Sequence, residues 1–389
     1  MASAVLEGDI SSPSHSHDGG ARSLPLALAP DVRVTASAHG SLVYRRSTGL
    51  IARVGPIEWE VLRRFDGKDI DDIRAALERD CGFRVTSADL AVFARRAFAS
   101  GLLVQPGSMS LQRPRRRGLS WSVGLWNPER LFTWCAPRAS RLFHPLAVSA
   151  ALLLILAAVA MPAPDAALPR LSAWYHLMVF VVMLNLVSIL HECGHGIALH
   201  HYGGSAREIG IRFVLGWPCW YCDITESYLL PRLRQRLAVI IAGPFAQAAA
   251  CAFLVLLARS PEPHVIVLRR TAALLGVLSL LNFFPLIRSD GYYLLTELAG
   301  MPNLRTDAWR WLTSAGARLE MRRKFSRTRR IGVAAYGLAS AAFLTIVLTR
   351  AVVAIGRAFA GTGRVSLHTV EAVLSVVIIV TMIPRRRSV

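Results

Sequence analysis

From Trp174 to Leu190 the chain carries no Asp, Glu, Lys or Arg, and it then enters His191-Glu-Cys-Gly-His195. With its flanks, residues 173–200, this stretch exceeds the ~20 residues a helix needs to cross a bilayer. Nothing else in the sequence restricts the fold as much, because lipid offers backbone N–H and C=O groups no hydrogen-bond partner. Further apolar runs at 144–162, 236–258, 266–287, 331–355 and 366–384 complete an expected set of about six transmembrane helices. A hydrophobic fraction of 53% and a mean hydropathy of +0.41 exclude an ordinary soluble protein. The fold class expected is a polytopic α-helical membrane protein preceded by a small α+β domain.

Charge sets the orientation. The formal net charge is +20, yet Lys68 and Lys324 are the only lysines, and the arginines gather between the apolar runs. No recognised nucleic-acid motif accompanies them, so the bilayer is the expected partner and nucleic acid is not. Residues 106–143, 201–235, 288–330 and Arg385-Arg-Arg387 are Arg-rich, whereas 163–172, 259–265 and 356–365 are short and poor in basic residues. Positive-inside logic then puts both termini in the cytoplasm. Six scattered cysteines have no disulfide-framework spacing.

The motif in the second apolar run carries the chemistry. On a helix His191 and His195 share a face, so both imidazoles can reach one zinc ion, and Glu192 lies beside them as a general base. Ionisable groups at membrane depth are costly, which makes this a functional-site expectation. A catalytic zinc usually takes a third protein ligand. His201 is one candidate, since HExxHxxxxxH has the outer spacing of metzincins, but Ala198 stands where that motif needs a glycine to turn the chain. His200 and His201 read better as the polar end of the helix. Asp290, in Asn282-Phe-Phe-Pro-Leu-Ile-Arg-Ser-Asp290-Gly291, is the other candidate, and both motifs fall near the inner ends of their spans.

Ahead of the membrane part, residues 1–30 read as a disordered tail and 31–105 as a small winged-helix-like domain. Leu42–Arg46 and Leu50–Val54 flank a Ser-Thr-Gly turn as a hairpin. Helices are expected from Pro56 to Asp66-Gly67, over 69–79, and from an N-cap at Ser87 to Gly101, with Leu102–Val104 returning as a strand. A basic interfacial linker, 106–143, with interleaved Trp and Arg, leads into the membrane domain, 144–389. Between the second and third spans, Ile209–Ser227 alternates like a hairpin. Its Cys219-Trp-Tyr-Cys222 has the spacing of half a zinc site, without a second CxxC to complete it.

Over residues 172–297 the paired motifs resemble the site-2 protease family of intramembrane zinc metalloproteases. The resemblance implies that His191, His195 and Asp290 bind zinc and that Glu192 is the general base. It also implies that Asn282 positions the substrate, although an interhelical hydrogen bond explains that residue equally well. Ala242-Gly-Pro244 matches a Gly-Pro step common in that family. The hairpin, Leu62…Phe65-Asp-Gly67 and Ala99-Ser-Gly-Leu-Leu103 resemble PqqD-like domains, which recognise leader peptides of ribosomally made, modified peptides. Together they imply a protease of the bacterial cytoplasmic membrane that cuts the leader from a precursor peptide. The alternatives are regulated cleavage of a transmembrane regulator and a non-enzymatic export or immunity component. No feature specifies an oligomeric state.

Overall fold

A computed structural model describes residues 5–6, 25–37, 40–45, 50–106, 120–161, 171–214, 217–301 and 303–360. The chain divides into two units between Arg117 and Gly118.

In the first unit, strands β1 (Val5–Leu6), β3 (Val32–Ser37), β4 (Gly40–Arg45) and β5 (Leu50–Val54) form one sheet in the order β1-β5-β4-β3. β4 and β5 are the expected hairpin, antiparallel with Arg45 opposite Leu50. β1 lies parallel to β5, so the expected tail contributes a strand at Val5–Leu6. The tail also ends earlier than expected: β2 (Ala27–Leu28) pairs with β6 (Leu103–Val104), where Leu28 packs on the core. Helices α1 (Pro56–Leu62), α2 (Ile70–Cys81) and α3 (Ser87–Ser100) follow the sheet. Asp69 caps α2 by accepting from the Ile70 N–H at 2.8 Å. The cap of α3 is Thr86, which accepts from Asp89 N at 3.1 Å, so Ser87 is the first helical residue instead of the cap. One face of each helix joins Val43, Leu62, Ile73, Leu77, Leu90 and Leu103 in a single core. Buried Arg45 reaches Asp31 at 3.1 Å and the Gly101 carbonyl at 2.6 Å, tying β4 to the end of α3.

The second unit is mostly helical. Its helices are α4 (Glu129–Ala139), α5 (Pro145–Ala160), α6 (Ala173–His201), α7 (Leu233–Leu257), α8 (Pro263–Leu281), α9 (Asp290–Ala299), α10 (Leu304–Thr313), α11 (Ala315–Lys324) and α12 (Arg327–Ala360). Among the described residues α6, α7, α8 and Arg327–Arg350 of α12 are long and apolar enough to cross a membrane. Residues 129–143 and α5 add a fifth if that pair, bent by 76°, counts as one span. The expected span 366–384 lies outside the described residues. The span expected over 266–287 is shorter, because α8 stops at Leu281 and the chain turns before α9. α7 is central and packs against α5, α6, α8 and α9. Gly194 lets α6 and α7 approach closely, since a Cβ there would lie 2.7 Å from the Ala242 carbonyl oxygen.

The expected linker is not all linker. β7 (Ser120–Trp126) joins β8 (Ile209–Val214) and β9 (Trp217–Cys222) in an antiparallel sheet, and α4 packs on α6. The expected hairpin over Ile209–Ser227 therefore gains a third strand from far upstream. Val123, Leu125, Trp126 and Trp134 leave this region with exposed apolar surface, as suits a segment at a membrane interface.

Candidate metal centre

α6 places the two histidines one turn apart near its C-terminal end, and both are buried. The break between α8 and α9 brings the third group. Asn282 caps α8, and its carbonyl accepts from the Gly291 N–H at 2.6 Å, closing the turn. A Cβ on residue 291 would lie 2.1 Å from the Phe283 carbonyl oxygen, so only glycine permits this closure. Two further carbonyls of the turn are occupied: Arg305 Nη2 donates to Leu286 O at 2.9 Å and the Tyr336 hydroxyl to Pro285 O at 3.2 Å. Non-helical backbone at such depth requires partners of this kind. Asp290, the first residue of α9, is thereby aimed at the histidines.

The donor atoms converge. His191 Nε2 lies 3.1 Å from Asp290 Oδ2 and 3.1 Å from His195 Nε2, and His195 Nε2 lies 3.4 Å from Asp290 Oδ1. Among the described residues this is the one His/Cys/Asp/Glu group able to hold a metal ion, with all ligand atoms within 4.8 Å. The outer faces of the rings decide what the inner faces offer. His195 Nδ1 sits 2.7 Å from the Val239 carbonyl, which can only accept, so Nδ1 carries the hydrogen. His191 Nδ1 meets Gln247 Oε1 at 3.1 Å, while Gln247 Nε2 donates to Leu275 O at 3.1 Å. That fixes the amide and leaves Nδ1 as the donor to Oε1. In the neutral form of each ring, Nε2 then directs its lone pair at the other ring and at a carboxylate. Such a set repels itself unless a positive charge, a metal ion or a proton on one ring, sits among the three groups.

Glu192 is engaged by a different partner, its Oε2 accepting from the Cys222 N–H at 2.7 Å at the end of β9. Gly243 of α7 leaves room for the ligands, since a Cβ there would lie 2.3 Å from His195 Nε2. His201 is not in the group: its ring stacks on Phe143, with centroids 4.3 Å apart. Asn282 contributes its backbone to the turn, and no contact joins its side chain to the three donors. The helix is interrupted between Asn282 and Asp290, so the two residues share no helical face. Cys219 and Cys222 fall on opposite faces of β9, an odd number of residues apart, so they cannot chelate one ion together. Cys222 is buried, and burial with the Glu192 charge nearby raises its thiol well above the usual range.

Gln247 and the Val239 carbonyl went unnoticed in the sequence. A glutamine in the middle of the apolar run Leu237–Leu257, four residues after Gly243, was the available signal for the first; a backbone carbonyl leaves none. Against family models, curated proteins and solved structures, the chain finds no match.

Proposed function

We propose that the chain is a membrane-embedded zinc metalloprotease of the cytoplasmic membrane, and that it removes the leader from a ribosomally made, modified precursor peptide. The observation that carries the reading is the convergence of two Nε2 atoms and a carboxylate, with Glu192 next to His191 in the sequence. Their separations of 3.1, 3.1 and 3.4 Å are close to the ~3.3 Å between ligands of a tetrahedral ion bound at ~2.05 Å. His191, His195 and Asp290 would hold the ion, and two imidazoles with one carboxylate suit zinc. When bound, zinc polarises the scissile carbonyl and makes water more acidic.

Glu192 does the proton work. With Oε2 held by the Cys222 N–H, Oε1 is the oxygen left to take a proton from the attacking water. The water oxygen adds to the carbonyl carbon, the C–N bond breaks, and Glu192 returns the proton to the leaving amine. Gln247 and Val239 keep the imidazoles in the tautomer that binds a cation. In the first unit, β5 already takes an extended segment along its edge, Val5–Leu6 of the chain itself, which supports a PqqD-like role in receiving a leader peptide as an added strand.

Glu192→Gln tests this reading. The variant should retain about one zinc per chain and the wild-type melting temperature, yet lose proteolysis by ~10²–10⁴-fold, because it removes the base and no ligand. It should also trap the precursor for identification by mass spectrometry. Wild-type-like cleavage by this variant would end the assignment.

A further inference from the structure

Away from the candidate metal centre, a cavity of about 550 Å³ opens among α10, α11 and the start of α12. Arg318, Arg322, Arg327 and Arg330 line it together with Trp311 and Ile331, and no carboxylate among the described residues does. Arg318 is held in place by the carbonyls of Trp311 and Leu312, at 2.8 and 3.3 Å. The Nε–H of Arg330 is buried and finds no hydrogen-bond partner among the described residues. Glu320 on α11 is engaged elsewhere, with Arg310 at 2.9 Å. Guanidinium groups gathered around one space, with an unmet donor among them, call for a multivalent oxyanion. Phosphate matches the guanidinium fork best.

The rest of the wall selects the form of that phosphate. Arg327 and Arg330 occupy the first turn of α12, where its membrane-crossing stretch Arg327–Arg350 begins. Ile331 is 59% exposed and continues the same surface toward the apolar part of that helix. Trp311, which also lines the cavity, is a residue typical of the headgroup level. A ligand here meets positive charge at one end and exposed hydrocarbon-compatible surface at the other. We infer that this cavity binds the phosphate of an anionic phospholipid, with the acyl chains lying along α12 from Ile331 onward. The inference is independent of the proteolytic reading, since none of these residues contributes to the metal centre.

Full-length protein in zwitterionic detergent, titrated with phosphatidylglycerol, phosphatidylcholine or inorganic phosphate and read by native mass spectrometry and by melting temperature, tests the inference. Phosphatidylglycerol should form adducts and raise the melting temperature, while the other two do neither at matched concentration. An arginine near a membrane surface contributes about fivefold in affinity, so Arg322→Gln with Arg330→Gln should weaken phosphatidylglycerol binding by about 25-fold. The paired Lys variants should recover part of it. Equal binding of phosphatidylcholine would overturn anion recognition, and equal stabilisation by inorganic phosphate would overturn the lipid in favour of a soluble anion. Tighter binding of a glutamate-rich peptide than of phosphatidylglycerol would make the cavity a peptide site and overturn it as well. If the Gln pair does not fold, the three wild-type titrations decide the matter alone.

Discussion

Two imidazoles and a carboxylate converge through His191 Nε2, His195 Nε2 and Asp290, and whether a metal ion joins them can be measured one residue at a time. Asp290→Ala should lower zinc occupancy after dialysis against a weak chelator, whereas His201→Ala should leave it unchanged, because His201 is stacked on Phe143. Loss of zinc from the His201 variant with retention by the Asp290 variant would reverse the ligand assignment. Gly243→Ala makes a sharper test, because alanine in a helix interior ordinarily stabilises it by about 1 kcal/mol relative to glycine. Here the added methyl would lie 2.3 Å from His195 Nε2. The expected outcome is zinc affinity lower by ~10–100-fold, the range seen when a ligand loses its support, with the helical circular dichroism unchanged. Metal affinity equal to wild type would mean that α7 can move away from His195 at no cost.

At the scale of elements, what was legible in the sequence was what is local. The β4–β5 hairpin, the three helices of the first unit and the histidine-bearing helix α6 follow from turn residues, caps and apolar spacing within a few residues. The end of α8 does not. Phe283, Phe284, Leu286 and Ile287 continue the apolar run, and the groups that take up the broken backbone, Arg305 and Tyr336, come well downstream in α10 and α12. β7 was hidden for the same reason: Trp121, Val123 and Leu125 alternate, but their strand is completed by β8, about 90 residues later. Of the candidate site, the two histidines and Asp290 were visible as motifs, whereas Gln247 acts through a fold that the motif does not encode. β1 yields a prediction at this scale. Its two paired residues occupy the β5 edge, and each backbone hydrogen bond is worth about 1 kcal/mol. Full-length protein lacking residues 1–10 should bind a fluorescent leader peptide about tenfold more tightly if that edge is where the peptide adds. Unchanged affinity on polarisation titration would move the peptide to another edge.

At the scale of the whole molecule, the candidate site lies within one of the two units. His191, His195, Asp290 and the groups that orient them, Gln247 and Val239, all belong to the second unit. Removal of residues 1–117 should therefore leave zinc bound while lowering cleavage of a cognate precursor by about 100-fold, the loss expected when a tethered binding module no longer raises the local substrate concentration. Cleavage that is undiminished in a side-by-side assay would make the first unit irrelevant to substrate delivery and favour cleavage of a transmembrane regulator instead. The break that brings Asp290 to the histidines also has a consequence in time. About 100 residues of chain separate the HECGH motif from that aspartate. At ~5–20 residues per second of synthesis, the ribosome needs roughly 5–20 s to go from one to the other. Throughout that interval α6 is already made but lacks its carboxylate partner, so in a nascent chain the two histidines wait without Asp290 until α9 has been translated and has closed over them.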